Sequence, residues 1–179
     1  MSGKAPELWD LYDAQGKRTD MRVERDAPIP AGYYHPVVHV CLFNSRGEML
    51  IQLRNPDKAL APDKWDVSAG GAGIAGEEIS EAAARELYEE LGIRMDFSGT
   101  PPHVTVFFDS GFDSYYLASI DEENFEPHIG TSELRAIRFA SETEILEMID
   151  GGLFVPFKKS FISLLFAMRQ IRGSLDFPV

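Results

Sequence analysis

Read for the alternation of hydrophobic and polar positions, the chain falls into short strands and a few amphipathic helices. Residues 8–25, "LWDLYDAQGKRTDMRVER", predict two short strands around the turn "DAQGK", where the glycine supplies a backbone conformation that other residues resist. "VVHVCLFN" (37–44) and "EMLIQLR" (48–54) are β-branched and apolar runs separated by "SRGE", which predicts a second hairpin. The prolines of "NPDKALAPDK" predict a loop, and "WDVSAGG" a short buried strand that runs into glycines. From Glu77 to Leu91 the period changes. Ile79, Ala83, Leu87 and Leu91 recur every fourth residue with charges opposite, so the stretch is helical until Gly92 stops it. "HVTVFFD" (103–109) and "SYYLASI" (114–120) predict a strand pair across "SGFD", and "LRAIRFA" (134–140) a further strand. Ser141, followed three residues later by Glu144, signals a capped helix over "SETEILEMID", and "FKKSFISLLFAMRQI" predicts a closing amphipathic helix. Elements mixed in this order predict an α/β (α+β) protein with a mixed sheet, helices on both faces and an N-terminal β-hairpin.

Composition narrows the class. A chain of 179 residues, 44% hydrophobic, fits one domain over 1–179 with residues 1–30 as a hairpin extension. The formal net charge of −12 argues against any extended nucleic-acid or anionic-membrane surface, which would need clustered lysine and arginine. A small anionic substrate remains compatible with that charge if a metal ion and a few local cations hold it. Cys41 is the single cysteine and can form no internal disulfide, which fits a reducing compartment. The N-terminal "MSGKAPELWD" is no apolar signal segment, and no uncharged apolar stretch approaches the roughly 20 residues of a membrane span, so the expected location is the cytoplasm. The N-terminal hairpin leaves room for pairing with a second subunit, so a homodimer is compatible with the sequence.

The candidate chemistry lies in "GGAGIAGEEISEAAARELYEELGI", residues 70–93. Glutamates at helical neighbour spacing repel, at a cost of a few tenths of a kcal/mol per pair, so the packing of carboxylates here needs a reason. Residues 71–93 read G-x5-E-x7-R-E-L-x-E-E-x-G-I, with Gly71, Glu77, Arg85, Glu86, Leu87, Glu89, Glu90, Gly92 and Ile93 in the fixed places. A chance match is on the order of 1 in 10⁸ per starting position at ordinary residue frequencies. This pattern resembles the box of the Nudix hydrolases, complete and without substitution. The resemblance implies a Nudix-type α/β/α sandwich and a metal-dependent hydrolase acting on a diphosphate linkage.

The residues support that chemistry independently. Glu86, Glu89 and Glu90, at i, i+3 and i+4, point to one side of a helix and offer hard oxygen ligands to a divalent cation. Mg²⁺ is the expected ion, with Mn²⁺ as substitute. Gly71 and its neighbour Gly70 allow close backbone approach to metal and phosphate, with Gly71 itself a candidate metal-site residue. Arg85 is expected to orient the glutamates, through Glu77. A solvated Glu-rich helix is the alternative for the glutamate pair alone, and the complete box outweighs it. Glu133, just before the strand "LRAIRFA", stands where some members of the family carry another catalytic carboxylate; an ordinary loop-edge glutamate is the alternative.

The run from "YYHPVVHVCLFN" to "WDVS", with "LWDLYDAQG" before it, is similar to the branch that holds isopentenyl-diphosphate isomerases and related hydrolases. On that resemblance Arg54 and Lys58 fall where the isomerases hold the diphosphate, and His35 where they place a metal-binding histidine; solvated cations and a structural histidine are the alternatives. The isomerases also use a cysteine, in a Cys-x-His stretch, to protonate carbon. Here Gly70 stands in the cysteine place and Ala72 in the histidine place, whereas every box glutamate is kept, so the sequence favours hydrolysis. The substrate class is not fixed. Phe107, Phe108, Phe112, Tyr115 and Tyr116 are candidates to stack a base, with core packing as the alternative reading. A nucleotide sensor that binds without turnover is a third reading.

Overall fold

The computed structural model describes residues 6–121 and 134–173. In chain order, β1 (Leu8–Tyr12) and β2 (Arg18–Glu24) form an antiparallel N-terminal hairpin. They are followed by β3 (His35–Phe43), β4 (Met49–Arg54), β5 (Trp65–Asp66), β6 (Ala69–Ala72) and helix α1 (Ile79–Leu91). Then come β7 (Val104–Phe108), β8 (Gly111–Ser119), β9 (Leu134–Ala140), α2 (Glu142–Asp150) and α3 (Lys159–Met168). Strands β3 to β9 make one mixed seven-stranded sheet, in which β3 runs parallel to β8 along its whole length and antiparallel to β4 and β6.

The period of two in β3 sets the layers. Val38, Val40 and Leu42 enter one core with Ala82, Ala83, Leu87 and Leu91 of α1, while Cys41 and Phe43 enter the other with Ile145 of α2 and Ile162, Leu165 and Phe166 of α3. Helices therefore cover both faces, giving the α/β/α sandwich. Phe112, Tyr115 and Tyr116 are buried core residues, whereas Phe107 and Phe108 on strand β7 remain about four-tenths exposed. Among the described residues, no helix is long and apolar enough to cross a membrane.

Several boundaries differ from the sequence expectation. Helix α1 starts at Ile79, capped by Glu78 in a reciprocal box with Glu81, because the Glu77 side chain is occupied with Arg85 and the Ile74 N–H. Gly92 ends it in the left-handed conformation, φ 70°. The closing helix stops at Met168, and the β7–β8 turn is Asp109–Ser110, with Phe108 already opposite Gly111. The predicted hairpin of β3 and β4 is barely one, since only Phe43 and Met49 are in register.

The reason for that divergence lies in "WDVSAGG", which is two strands with different partners: β5 pairs with β4, β6 with β3. Where the two part, Ser68 is fully buried and its hydroxyl replaces the missing ladder, accepting from the Leu42 N–H at 2.8 Å and donating to the Leu50 carbonyl at 2.6 Å. Removing that oxygen would leave two backbone groups buried without partners. Ser68→Ala should destabilise the fold by about 2–6 kcal/mol, the sum of two unsatisfied groups, read as a lowered urea midpoint; an unchanged midpoint would show that the hydroxyl does not hold the split.

Candidate active site

Beside the split, strand β6 and the polar face of α1 enclose an open cleft of about 370 Å³. Gly70, Gly71 and Ala72 of β6 form one wall with Ile74, and Arg85, Glu86, Glu89 and Glu90 of α1 the other. Lys58 reaches it from the loop after β4, and Glu7 and Arg25 from the ends of the N-terminal hairpin.

Arg85 organises the box. Its Nε donates to Glu77 Oε1 at 2.6 Å, and its Nη2 donates to Glu77 Oε2 at 3.0 Å and to the Ala72 carbonyl at 3.1 Å. Its Nη1 donates to Glu86 Oε1 at 2.7 Å and Glu89 Oε2 at 3.1 Å. These five bonds use all five donors of a guanidinium, so in this arrangement Arg85 holds both the glutamates and the strand. The carboxylates around it raise its pKa further above the ordinary arginine value, against the effect of burial.

Glu90 is the deepest of the carboxylates, 3% exposed, and sits where β4 and β6 diverge. Its Oε2 accepts from Gln52 Nε2 of β4 and from the Gly70 N–H of β6, both at 3.1 Å. Burial, reinforced by the charge of Glu86, pushes its carboxyl up to about 8. Gln52 is itself buried, and its Oε1 has no hydrogen-bond partner.

Glycine is required in this wall. A Cβ at Gly71 would overlap the carboxylate of Glu86, and one at Gly70 would lie 2.8 Å from the Val38 carbonyl oxygen and 2.9 Å from His39 Nδ1. The strand can approach α1 closely only without a side chain at Gly71, and can lie this close to β3 only without one at Gly70.

Among the described residues, no three carboxylate, imidazole or thiol groups are already gathered around one point. The reason is visible in the hydrogen bonds: Arg85 draws oxygens of Glu86 and Glu89, and Gln52 with Gly70 draws Glu90. The donor set nevertheless fits a hard divalent cation, with three carboxylates from one helix face and a backbone wall that leaves room for Glu86.

The remaining expected residues divide. Gly70, Gly71 and Lys58 line the cleft, and Arg54 does not. Its guanidinium is mostly buried, bonded to Asp66 at 2.9 Å and to the Leu60 carbonyl, so it fixes the β4–β5 loop. His35 is also elsewhere. It stacks on Trp9 with ring centroids 4.4 Å apart, its pKa lowered by burial, and it serves the packing of the hairpin. Glu133 lies outside the described residues. Sequence reasoning missed Gln52, Glu7 and Arg25. Gln52 had a signal, being a polar residue in phase with the core position Leu50; the other two depend on hairpin register.

A family model described as NUDIX domain matches residues 33–162. The chain belongs to the Nudix family. An uncharacterised Nudix hydrolase of Listeria monocytogenes is 36% identical over 164 residues, covering 92% of this chain and 96% of its own length. The chain is also similar to an isopentenyl-diphosphate Delta-isomerase of Pectobacterium atrosepticum, 28% identical over 142 residues, or 76% of this chain and 78% of the isomerase. A crystal structure of a Deinococcus radiodurans protein superposes with a TM-score of 0.68 at 26% identity, covering 89% of this chain and 97% of that one. Proteins of the Nudix family generally use divalent cations, in keeping with the oxygen-rich face of α1.

The crowding at Gly71 is directly testable. Gly71→Ala should force Glu86 off its position and weaken Mn²⁺ binding by about tenfold or more, the scale of disturbing a metal site's support, measured by titration with electron paramagnetic detection while circular dichroism stays native. Unchanged Mn²⁺ affinity would mean that the close approach of strand and helix does not shape the site.

Proposed function

We propose that this Nudix hydrolase is a Mg²⁺-dependent pyrophosphohydrolase that cleaves a diphosphate linkage in a nucleoside diphosphate derivative or a similar small organic diphosphate. The observation that carries the reading is the set of Glu86, Glu89 and Glu90 on one face of α1, ordered by Arg85 and opposed by a side-chain-free strand.

Glu86, Glu89, Glu90 and the backbone at Gly71 would hold the cation. When bound, it would neutralise charge on the diphosphate oxygens and acidify a water nucleophile. The protein's own part is mainly positioning. To hold the cation, Glu86 and Glu89 would exchange Arg85 for it, while the bonds of Arg85 to Glu77 and the Ala72 carbonyl hold helix and strand at a fixed distance. Glu90, whose carboxyl is pushed up to about 8 by burial, would be held ionised by positive charge beside it. Lys58 lines the cleft and would supply positive charge for the substrate's phosphate groups.

The similarity to an isopentenyl-diphosphate isomerase gives a second reading some weight. Its chemistry needs a thiol near the substrate carbon. The single cysteine here, Cys41, is fully buried in the α2–α3 core and its thiol pKa is driven up by burial, far from thiolate reactivity. The place that would carry the isomerase cysteine is Gly70, where a Cβ meets the β3 backbone and His39.

The test is turnover of purified protein with Mg²⁺ against nucleoside di- and triphosphates, nucleotide sugars, ADP-ribose, dinucleotides, coenzyme A and isoprenoid diphosphates, with products read by mass. One preferred substrate should be cleaved between phosphorus atoms, chelation should abolish the reaction, and Glu89→Gln or Glu90→Gln should each lower kcat by about 10²–10⁴. Full activity in both variants would remove the assigned roles. Stabilisation by one compound without turnover would identify a sensor, and a rearranged diphosphate with no phosphate released an isomerase.

A further inference from the structure

The geometry points to the N-terminal hairpin as part of the substrate site: Glu7 and Arg25 form a latch at the cleft, and Arg25 leaves Glu7 to bind a phosphate group of the substrate. The inference rests on the diphosphate reading above and names a recognition element outside the family match, which begins at residue 33.

Three cationic side chains line the cleft, Arg25, Lys58 and Arg85. Arg85 has its Nε and Nη2 donors on Glu77 and the Ala72 carbonyl and its Nη1 donors on the box glutamates, so it belongs to the box. Of the two arginines, Arg25 is the one without a positioning role in the box. Its Nη1 faces both oxygens of Glu7 at 3.2 Å, and the Glu7 carboxylate is aimed by a hydrogen bond from Trp9 Nε1, also 3.2 Å. The pair is solvent-exposed, with 58% of the Arg25 side chain accessible and 34% of that of Glu7. Exposed pairs of this kind are worth about 0–1 kcal/mol. A doubly charged phosphate, which can take a guanidinium in two parallel bonds, is the stronger partner, so exchange is favourable.

A latch must stand on a fixed base, and the hairpin does. The Leu8 carbonyl accepts from the Ala75 N–H, and the buried Asp10 accepts from the Gly76 N–H, both at 2.7 Å. Arg18 bonds the Glu77 carbonyl and the Glu78 side chain. The hairpin is thus tied to the glycine-rich loop that leads into α1, and Arg25 keeps its distance from the box. With Glu86, Glu89 and Glu90 committed to a cation, Glu7 is, among the described residues, the carboxylate left in the lining to repel a polyanion, and pairing with Arg25 cancels it at rest.

The experiment measures calorimetric binding of Mg²⁺-imidodiphosphate, a probe that resists hydrolysis, to the full chain and three variants, each checked for a native unfolding midpoint. Glu7→Gln should tighten binding about threefold or more, and Arg25→Ala should weaken it about tenfold, the scale of a charge-assisted hydrogen bond. The double variant Glu7→Gln/Arg25→Ala has the charge of the original protein and isolates the contact. If Arg25 touches phosphate, the double variant stays several-fold weaker than the original; if the pair acts only through its net field, the two bind alike, which overturns the latch. Binding that no variant alters also overturns it and leaves the hydrolase reading intact, whereas absence of binding to every form overturns both.

Discussion

The structure depends on one close approach. Strand β6 lies so near to α1 that the Gly70 N–H bonds directly to Glu90 and a side chain at Gly71 would overlap Glu86. Everything functional follows from that distance. It brings four carboxylates within reach of one arginine and one strand, and it would expel any residue larger than glycine. The repulsion expected from a glutamate-rich helix is therefore not left to solvent. Arg85 compensates three of the carboxylates, and backbone and amide donors take the fourth. Charge that would destabilise an isolated helix becomes, in this setting, a held set of candidate cation ligands.

The sheet is built to permit the approach. Were β3 and β4 an ordinary hairpin, β6 would have no edge of β3 to pair with and the glycines would not face α1. The divergence after Phe43 and Met49 frees that edge, and Ser68 and Gln52 fill the resulting gap with polar groups, one for the backbone and one for Glu90. Buried polar side chains at a split between strands are costly unless paired. Ser68 is paired on both sides. Gln52 is paired at its amide nitrogen only, and its unpartnered Oε1 lies on the side chain that supports the deepest carboxylate.

What could be read in the sequence was whatever local spacing controls. The period of α1, the capping box of Ser141 and Glu144, the hairpin turn before Lys17 and the spacing of the box glutamates are all set by residues within a few positions of one another. What could not be read depends on pairing over long separations. Arg54 has the composition of a phosphate ligand, but the loop fold delivers it to Asp66. His35 matches a metal-ligand place, yet Trp9, 26 positions earlier, stacks against it. Glu7 and Arg25 meet only because Leu8 is in register with Glu24, and they reach the cleft only because the hairpin docks on the loop before α1. No short-range pattern marks either step.

Hydrolysis and isomerisation on this scaffold make opposed demands on position 70. A thiol there must project into the cleft, and the strand must then stand off from β3 and from whatever side chain occupies the place of His39. In this chain His39 is held by Asp113 at 3.0 Å and stacked on Tyr115, with its Nδ1 against the Gly70 backbone. Adding a Cβ at 70 would disturb that packing and, through the Gly70 N–H, the anchoring of Glu90. A site that grips its deepest metal-ligand candidate with the backbone of residue 70 therefore gives up the position from which carbon could be protonated. The similarity to the isomerases is one of framework, and it breaks at Gly70 and Ala72, in the places of the isomerase cysteine and histidine.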